Sequence, residues 1–149
     1  MSIKVLVFGM TDNPGGMESC VMNYYRNIDW SDVQFDFLCN WENMVYADEV
    51  TAKGSKIYTI PQKSKDYKAY KKALDDFFKA HKGEYDVFWY NTCTLTNIDY
   101  LVYAKKYGIK KRFYWERFYC LNGFYQRGIT IYVGCGGLPK SREKSRPFY

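Results

Sequence analysis

The sequence predicts an α/β protein: a doubly wound parallel sheet of about five strands. Short runs of β-branched and aromatic residues recur along the chain as strands. Segments of helical periodicity separate them, and glycine-, proline- or asparagine-rich turns join the two kinds of element. Strands that alternate with helices in this way form right-handed βαβ units, which stack into one parallel sheet with helices on both faces.

The first strand is Ile3 to Gly9 (IKVLVFG), an uninterrupted apolar run suited to burial on both faces. Met10 to Gly16 (MTDNPGG) is dense in turn residues. Met17, Cys20, Val21, Tyr24, Tyr25 and Ile28 then recur at helical spacing, which completes a strand, glycine loop and helix. Gln34 to Cys39 (QFDFLC) and Lys56 to Ile60 (KIYTI) predict two further strands, the second ended by Pro61. The stretch between them, Asn40 to Gly54, is expected to be a loop with a short helix.

From Asp66 to Lys82 the positions Tyr67, Tyr70, Leu74, Phe77, Phe78 and His81 share one helical face. Asp86 to Tyr90 (DVFWY) predicts the fourth strand, which opens at Asn91 and Thr92. Thr94 is placed to cap a helix running to about Tyr107, with Leu95, Ile98, Leu101 and Val102 inward and Gly108 as its left-handed stop. Lys110 to Trp115 (KKRFYW) starts a fifth strand and Ile129 to Val133 suggests one more. Glu116 to Gly128 and Gly134 to Tyr149 show no clean period.

At 149 residues the expectation is one compact unit. Hydrophobic residues make up 47% and charged residues 26%, a balance that excludes disorder over the whole length. There is no run of about 18 apolar residues and no cleavable leader pattern, which predicts a soluble cytoplasmic protein. Cys20, Cys39, Cys93, Cys120 and Cys135 are odd in number and lack CxxC spacing. They fit neither a disulfide framework nor a zinc site and are expected to be reduced. Residues 105–149 carry 11 Lys/Arg against 2 Asp/Glu, so the net charge of +6 belongs to the carboxy-terminal third. No zinc, RRM-type or KH-type signature accompanies that charge, and nucleic acid is not an expected partner.

In a parallel sheet ligands bind beyond the carboxy ends of the strands, so the loop after the first strand is the first candidate site. Asn13-Pro14-Gly15-Gly16 leads into a helix start, where free N–H groups and the helix dipole favour an anion such as phosphate. The same glycine pair is also ordinary turn chemistry, and neither GxGxxG nor GxxxxGK[ST] is present.

Taken as a unit, Asn13 to Leu38 (NPGGMESCVMNYYRNIDWSDVQFDFL) resembles the opening of bacterial family 4 glycosyltransferases, particularly those of capsule and exopolysaccharide synthesis. The resemblance continues at Gly54–Pro61 (GSKIYTIP), Tyr85–Asn91 (YDVFWYN) and Ala104–Arg112 (AKKYGIKKR), and together the segments span about three quarters of the chain. It implies the amino-terminal, acceptor-side half of a GT-B enzyme, in which two Rossmann-like domains face a cleft. The carboxy-terminal half of such enzymes holds the nucleotide sugar.

By this resemblance Gly15 and Gly16 would lie beside the donor diphosphate, with Asn13, Met17, Glu18, Asn91 and Thr92 on the acceptor side. Asn91 and Thr92 serve equally well as a cap for the following helix. The partners implied are a glycan or lipid-linked sugar acceptor, a nucleotide sugar if a donor domain is supplied, and a peripheral contact with the inner face of the membrane. No metal or other cofactor is required.

After Arg112 the family commonly shows an apolar pair and a His-Ser-His-Asn-like cluster, where this chain has Phe113-Tyr114-Trp115-Glu116-Arg117. The expected division is therefore a glycosyltransferase-like domain over 1–112 and an atypical basic, aromatic tail over 113–149, read from a shifted frame or poorly ordered. His81, the single histidine, reads as a structural neighbour of Phe77 and Phe78, and Glu18 and Glu116 remain as candidate bases. Without a donor domain the chain is expected to be inactive alone and to self-associate through surfaces built to be covered. Two other readings stay open: a non-catalytic half that pairs with a separate donor-binding subunit, and a generic phosphate-binding module.

Overall fold

A computed structural model of the chain describes residues 2–92, 97–117 and 128–133, with 115–117 and 128–133 as backbone alone. The elements run β1 (Ile3–Phe8), α1 (Gly16–Asn27), β2 (Val33–Cys39), α2 (Ala47–Ala52), β3 (Ile57–Thr59), α3 (Tyr67–Ala80), β4 (Val87–Thr92), α4 (Asp99–Lys106), β5 (Lys111–Arg117) and β6 (Gly128–Val133). The sheet order is β3-β2-β1-β4-β5-β6. The first five strands are mutually parallel, and β6 returns antiparallel along β5. This is a Rossmann-like sheet, as the alternation of periods predicts.

Period-two alternation along the strands divides the interior into two cores. Val5, Val7, Phe35, Phe37 and Val87 face one side with Val21, Met22 and Tyr25 of α1 and Val50 of α2. Leu6, Leu38, Phe88 and Tyr90 face the other with Leu74 and Phe78 of α3 and Ala104 of α4. Because both faces are covered, these strands read as continuous apolar runs. Each large side chain buried this way contributes about 1.5–3 kcal/mol.

One acid interrupts the pattern without being exposed. Asp36 is only 2% accessible. Its Oδ1 accepts the Lys56 N–H at 2.8 Å and its Oδ2 accepts the Tyr85 hydroxyl at 2.9 Å. The carboxylate thus clasps β2 to the turns before β3 and β4, which offsets its desolvation.

Two helices are phased differently from the sequence expectation. In α1 the buried stripe is Glu18, Val21, Met22 and Tyr25. Tyr24 is 52% exposed, with its ring edge-on to Trp89 at 5.6 Å. In α4 the inward residues are Tyr100 and Ala104, while Ile98 and Val102 are more than half exposed. Tyrosine wins the inward position because its ring stacks on Phe8 at 3.9 Å while its hydroxyl donates to Asn40 Oδ1 at 3.0 Å. The helix begins at Asp99; Thr94 and Leu95 lie outside the described residues.

Other boundaries match their signals. Asp66 caps α3 by accepting the Ala69 N–H at 2.9 Å. Gly108 ends α4 at φ +93°, with its N–H on the Lys105 carbonyl and the Ile109 N–H on the Ala104 carbonyl. The segment after β2 contains the short helix α2. Residue 112, the expected end of the first domain, falls inside β5, so the parallel sheet includes residues on both sides of it. An apolar groove of about 330 Å3 lies along the α1 side of β4 and β5, lined by Ile3, Tyr24, Val87, Trp89 and Phe113. Among the described residues no helix is long and apolar enough to cross a membrane.

Candidate functional site

With β1 and β4 adjacent at the centre of the sheet, the connection leaves β1 toward β2 on one side and returns to β4 on the other. The carboxy ends of these two strands therefore flank the crevice where open parallel sheets bind ligands. Gly9 follows directly on β1 at this point. At φ +115° a Cβ on Gly9 would lie 1.6 Å from the carbonyl oxygen of Asn91, so no other residue fits between the two strands.

Asn91 is 1% accessible. Its Nδ2 donates to the Met17 carbonyl at 3.3 Å, which ties the end of β4 to the first turn of α1. Its Oδ1 is buried with no hydrogen-bond partner among the described residues. A buried acceptor left open costs about 1–3 kcal/mol, which makes this a place where a donor hydrogen is wanted. Thr92 is half-buried beside it and pairs in register with Glu116 on β5.

The loop after β1 is stitched by Thr11, whose hydroxyl donates to Glu18 Oε1 at 2.7 Å and accepts the Asn13 N–H at 3.2 Å. Gly15 is the N-cap of α1 and offers no side-chain cap. Glu18, in the first turn and 5% accessible, lies over it: a Cβ on Gly15 would meet Glu18 Oε2 at 2.8 Å. The chain's own carboxylate therefore sits at the helix start where the sequence suggests an anion. Asn13 and Gly16 are exposed and Met17 is half-buried.

The structure thus gathers Gly15, Gly16, Met17, Glu18 and Asn91 around one helix start, with Thr92 and the backbone of Glu116 at the adjoining strand ends. His81 is remote, at the end of α3 that faces the amino ends of the strands. Its Nδ1 is 2.6 Å from Glu84 Oε2 and its ring packs on Phe77 and Tyr58. Among the described residues Cys20 and Cys39 are free thiols, and no group of three or more His, Cys, Asp or Glu could hold a metal.

Sequence reasoning missed Gly9 as the close-approach residue and Thr11 as the partner of Glu18. The glycine ending the first strand was a signal for the former; nothing in the pattern singled out the latter. It also missed a cleft of about 560 Å3 beyond the carboxy ends of β2 and β3, bordered by Asp12, Trp41, Glu42 and Gln62.

No protein-family model matches the chain. No solved structure matches it either. Among curated proteins it is similar to one named "Putative glycosyltransferase EpsF" from Bacillus subtilis (strain 168), 42% identical over 50 residues. That match covers 33% of this chain and 13% of the relative, which supports a glycosyltransferase-like character for the matched segment.

Proposed function

We propose that this chain is the acceptor-side half of a GT-B sugar transferase of family 4, of the kind used in capsule or exopolysaccharide synthesis. It would receive a glycan or lipid-linked acceptor, while a donor-binding half would bring the nucleotide sugar. The observation that carries this reading is the crevice between β1 and β4. There Gly9 meets Asn91 without room for a side chain, and an open buried acceptor atom lies beside the start of α1.

That geometry supports the following roles. The backbone N–H of Gly16 would offset charge that builds on the leaving diphosphate, while that of Gly15 is already given to the Asn13 carbonyl at 2.8 Å and would have to be released first. Asn91 Oδ1 would accept a hydrogen from an acceptor hydroxyl and help to orient it, with Asn13, Met17, Glu18 and Thr92 around it. Glu18 would first turn away from the N-cap, because a diphosphate and a carboxylate cannot share one helix start. A lipid-linked acceptor would bring the protein to the inner face of the membrane.

The test is reconstitution. The purified chain is mixed with a separately expressed donor-binding domain of a family 4 enzyme, a labelled nucleotide sugar and a membrane fraction. Sugar transfer should appear only in the mixture and fall at least tenfold with Asn91→Ala. Transfer by neither mixture nor chain, across a panel of uridine and guanosine diphosphate sugars, would sink the proposal.

A further inference from the structure

The cleft beyond β2 and β3 is separate from the β1–β4 crevice, although Asp12 on the shared loop borders it. Its floor is held by Asn40, whose Nδ2 donates to the Ile60 and Pro61 carbonyls at 3.1 and 3.2 Å and whose Oδ1 accepts the Tyr100 hydroxyl. Its walls are unlike this. The side chains of Asp12, Glu42, Asn43 and Lys65 make no hydrogen bond or ion pair among the described residues. Trp41, 38% exposed, is seated at the same cleft and packs its ring on no other aromatic ring among the described residues. A hydrogen-bonded floor, unpaired polar walls and an exposed indole border a cleft of the size that small molecules occupy.

The chemistry of the walls selects the ligand. Two carboxylates face one ammonium, so phosphates and other anions are disfavoured. Carboxylates and amides suit vicinal hydroxyls, each carboxylate oxygen accepting one hydroxyl hydrogen. The negative face of the indole suits the polarised C–H edge of a pyranose ring. We infer that this cleft is a subsite for a neutral glycan, one or two sugar units long, stacked on Trp41 and held by Asp12, Glu42 and Gln62. Its role as an acceptor subsite rests on the transferase reading; the binding itself does not.

The test uses the full chain with chitobiose, lactose and cellobiose as probes and inorganic pyrophosphate as the anionic control. The indole N–H resonance of Trp41 should shift saturably with at least one disaccharide and not with pyrophosphate. Trp41→Ala should abolish binding, and Asp12→Asn and Glu42→Gln should each weaken it about tenfold, with far-UV spectra unchanged. Indole shifts with pyrophosphate alone, or with no probe, would overturn the inference, as would sugar binding that survives Trp41→Ala. The two proposals fail differently. Sugar binding at Trp41 without reconstituted transfer leaves the subsite standing and removes the transferase reading. Transfer indifferent to Trp41→Ala keeps the transferase reading and removes the cleft's role as an acceptor subsite, while the binding itself is decided by the indole shifts.

Discussion

Replacing Gly9 with alanine tests the geometry on which the crevice depends. The new Cβ would stand 1.6 Å from the Asn91 carbonyl oxygen, about half of an ordinary contact distance, and the obstacle is backbone that cannot rotate away. The ends of β1 and β4 must separate by more than 1 Å, which breaks the pairing of Phe8 with Tyr90. Overpacking of this kind costs about 3 kcal/mol or more, and the positive φ adds about 1–2 kcal/mol. Gly108→Ala is the internal control. Gly108 has a similar φ of +93° but no atom within 4 Å of its Cβ, so only the conformational cost of about 1–2 kcal/mol applies. Urea unfolding of the three proteins at equal slope measures both terms. Gly9→Ala should lose about 4 kcal/mol or more and exceed the control by about 3 kcal/mol. Equal losses in the two variants would refute the close approach of β1 and β4.

Asp36→Ala strands the Tyr85 hydroxyl and the Lys56 N–H and should cost about 2–4 kcal/mol, against about 1 kcal/mol for Tyr85→Phe; urea midpoints decide. Glu18→Gln keeps a partner for Thr11 but removes the charge at the start of α1. It should therefore bind pyrophosphate more tightly than the parent in calorimetry, and no gain would mean that the anion seat is elsewhere. Burial holds the phenols of Tyr85, Tyr90 and Tyr100 well above the ordinary 10.0 and lifts Tyr70 to about 12. The unfolded chain releases these protons first, so stability is full below pH 10 and falls above it by about 5 kcal/mol per pH unit. Tyrosinate absorbance should then rise together with loss of far-UV signal; ionisation of these phenols in a still-folded protein would contradict their burial.

What could be read from the sequence divides along physical lines. The parallel, two-faced sheet follows from period and length, and every predicted strand within the described residues is present; the spatial order β3-β2-β1-β4-β5-β6 is not written in any local pattern. Helix phase was less legible, because tyrosine hydroxyls decide it. A Tyr100 paired with Asn40, 60 residues away, can take the inward position that Ile98 and Val102 would otherwise claim. The cluster at the start of α1 was legible in part. Turn residues marked Gly15 and Gly16, but the inward fold of Glu18 depends on Thr11, and Asn91 reaches Met17 only because β4 lies beside β1. A contact between residues 74 apart leaves no local pattern.

The two candidate sites at the carboxy edge of the sheet differ in readiness. Between β1 and β4 the chain satisfies itself apart from Asn91 Oδ1: Glu18 covers the helix start, Thr11 holds Glu18, and the Asn91 amide donates to Met17. A diphosphate arriving there must displace a hydrogen-bonded carboxylate, so its net affinity is the difference between two similar anions at one dipole. Beyond β2 and β3 the side chains of Asp12, Glu42, Asn43 and Lys65 are unpaired among the described residues, while the floor is fixed and Gln62 Nε2 donates to the Asn40 carbonyl at 3.4 Å. A neutral sugar displaces water alone and pays no such exchange. The asymmetry predicts an order of binding in which the glycan seats first, with donor phosphates engaging the start of α1 only when a second domain adds contacts enough to move Glu18.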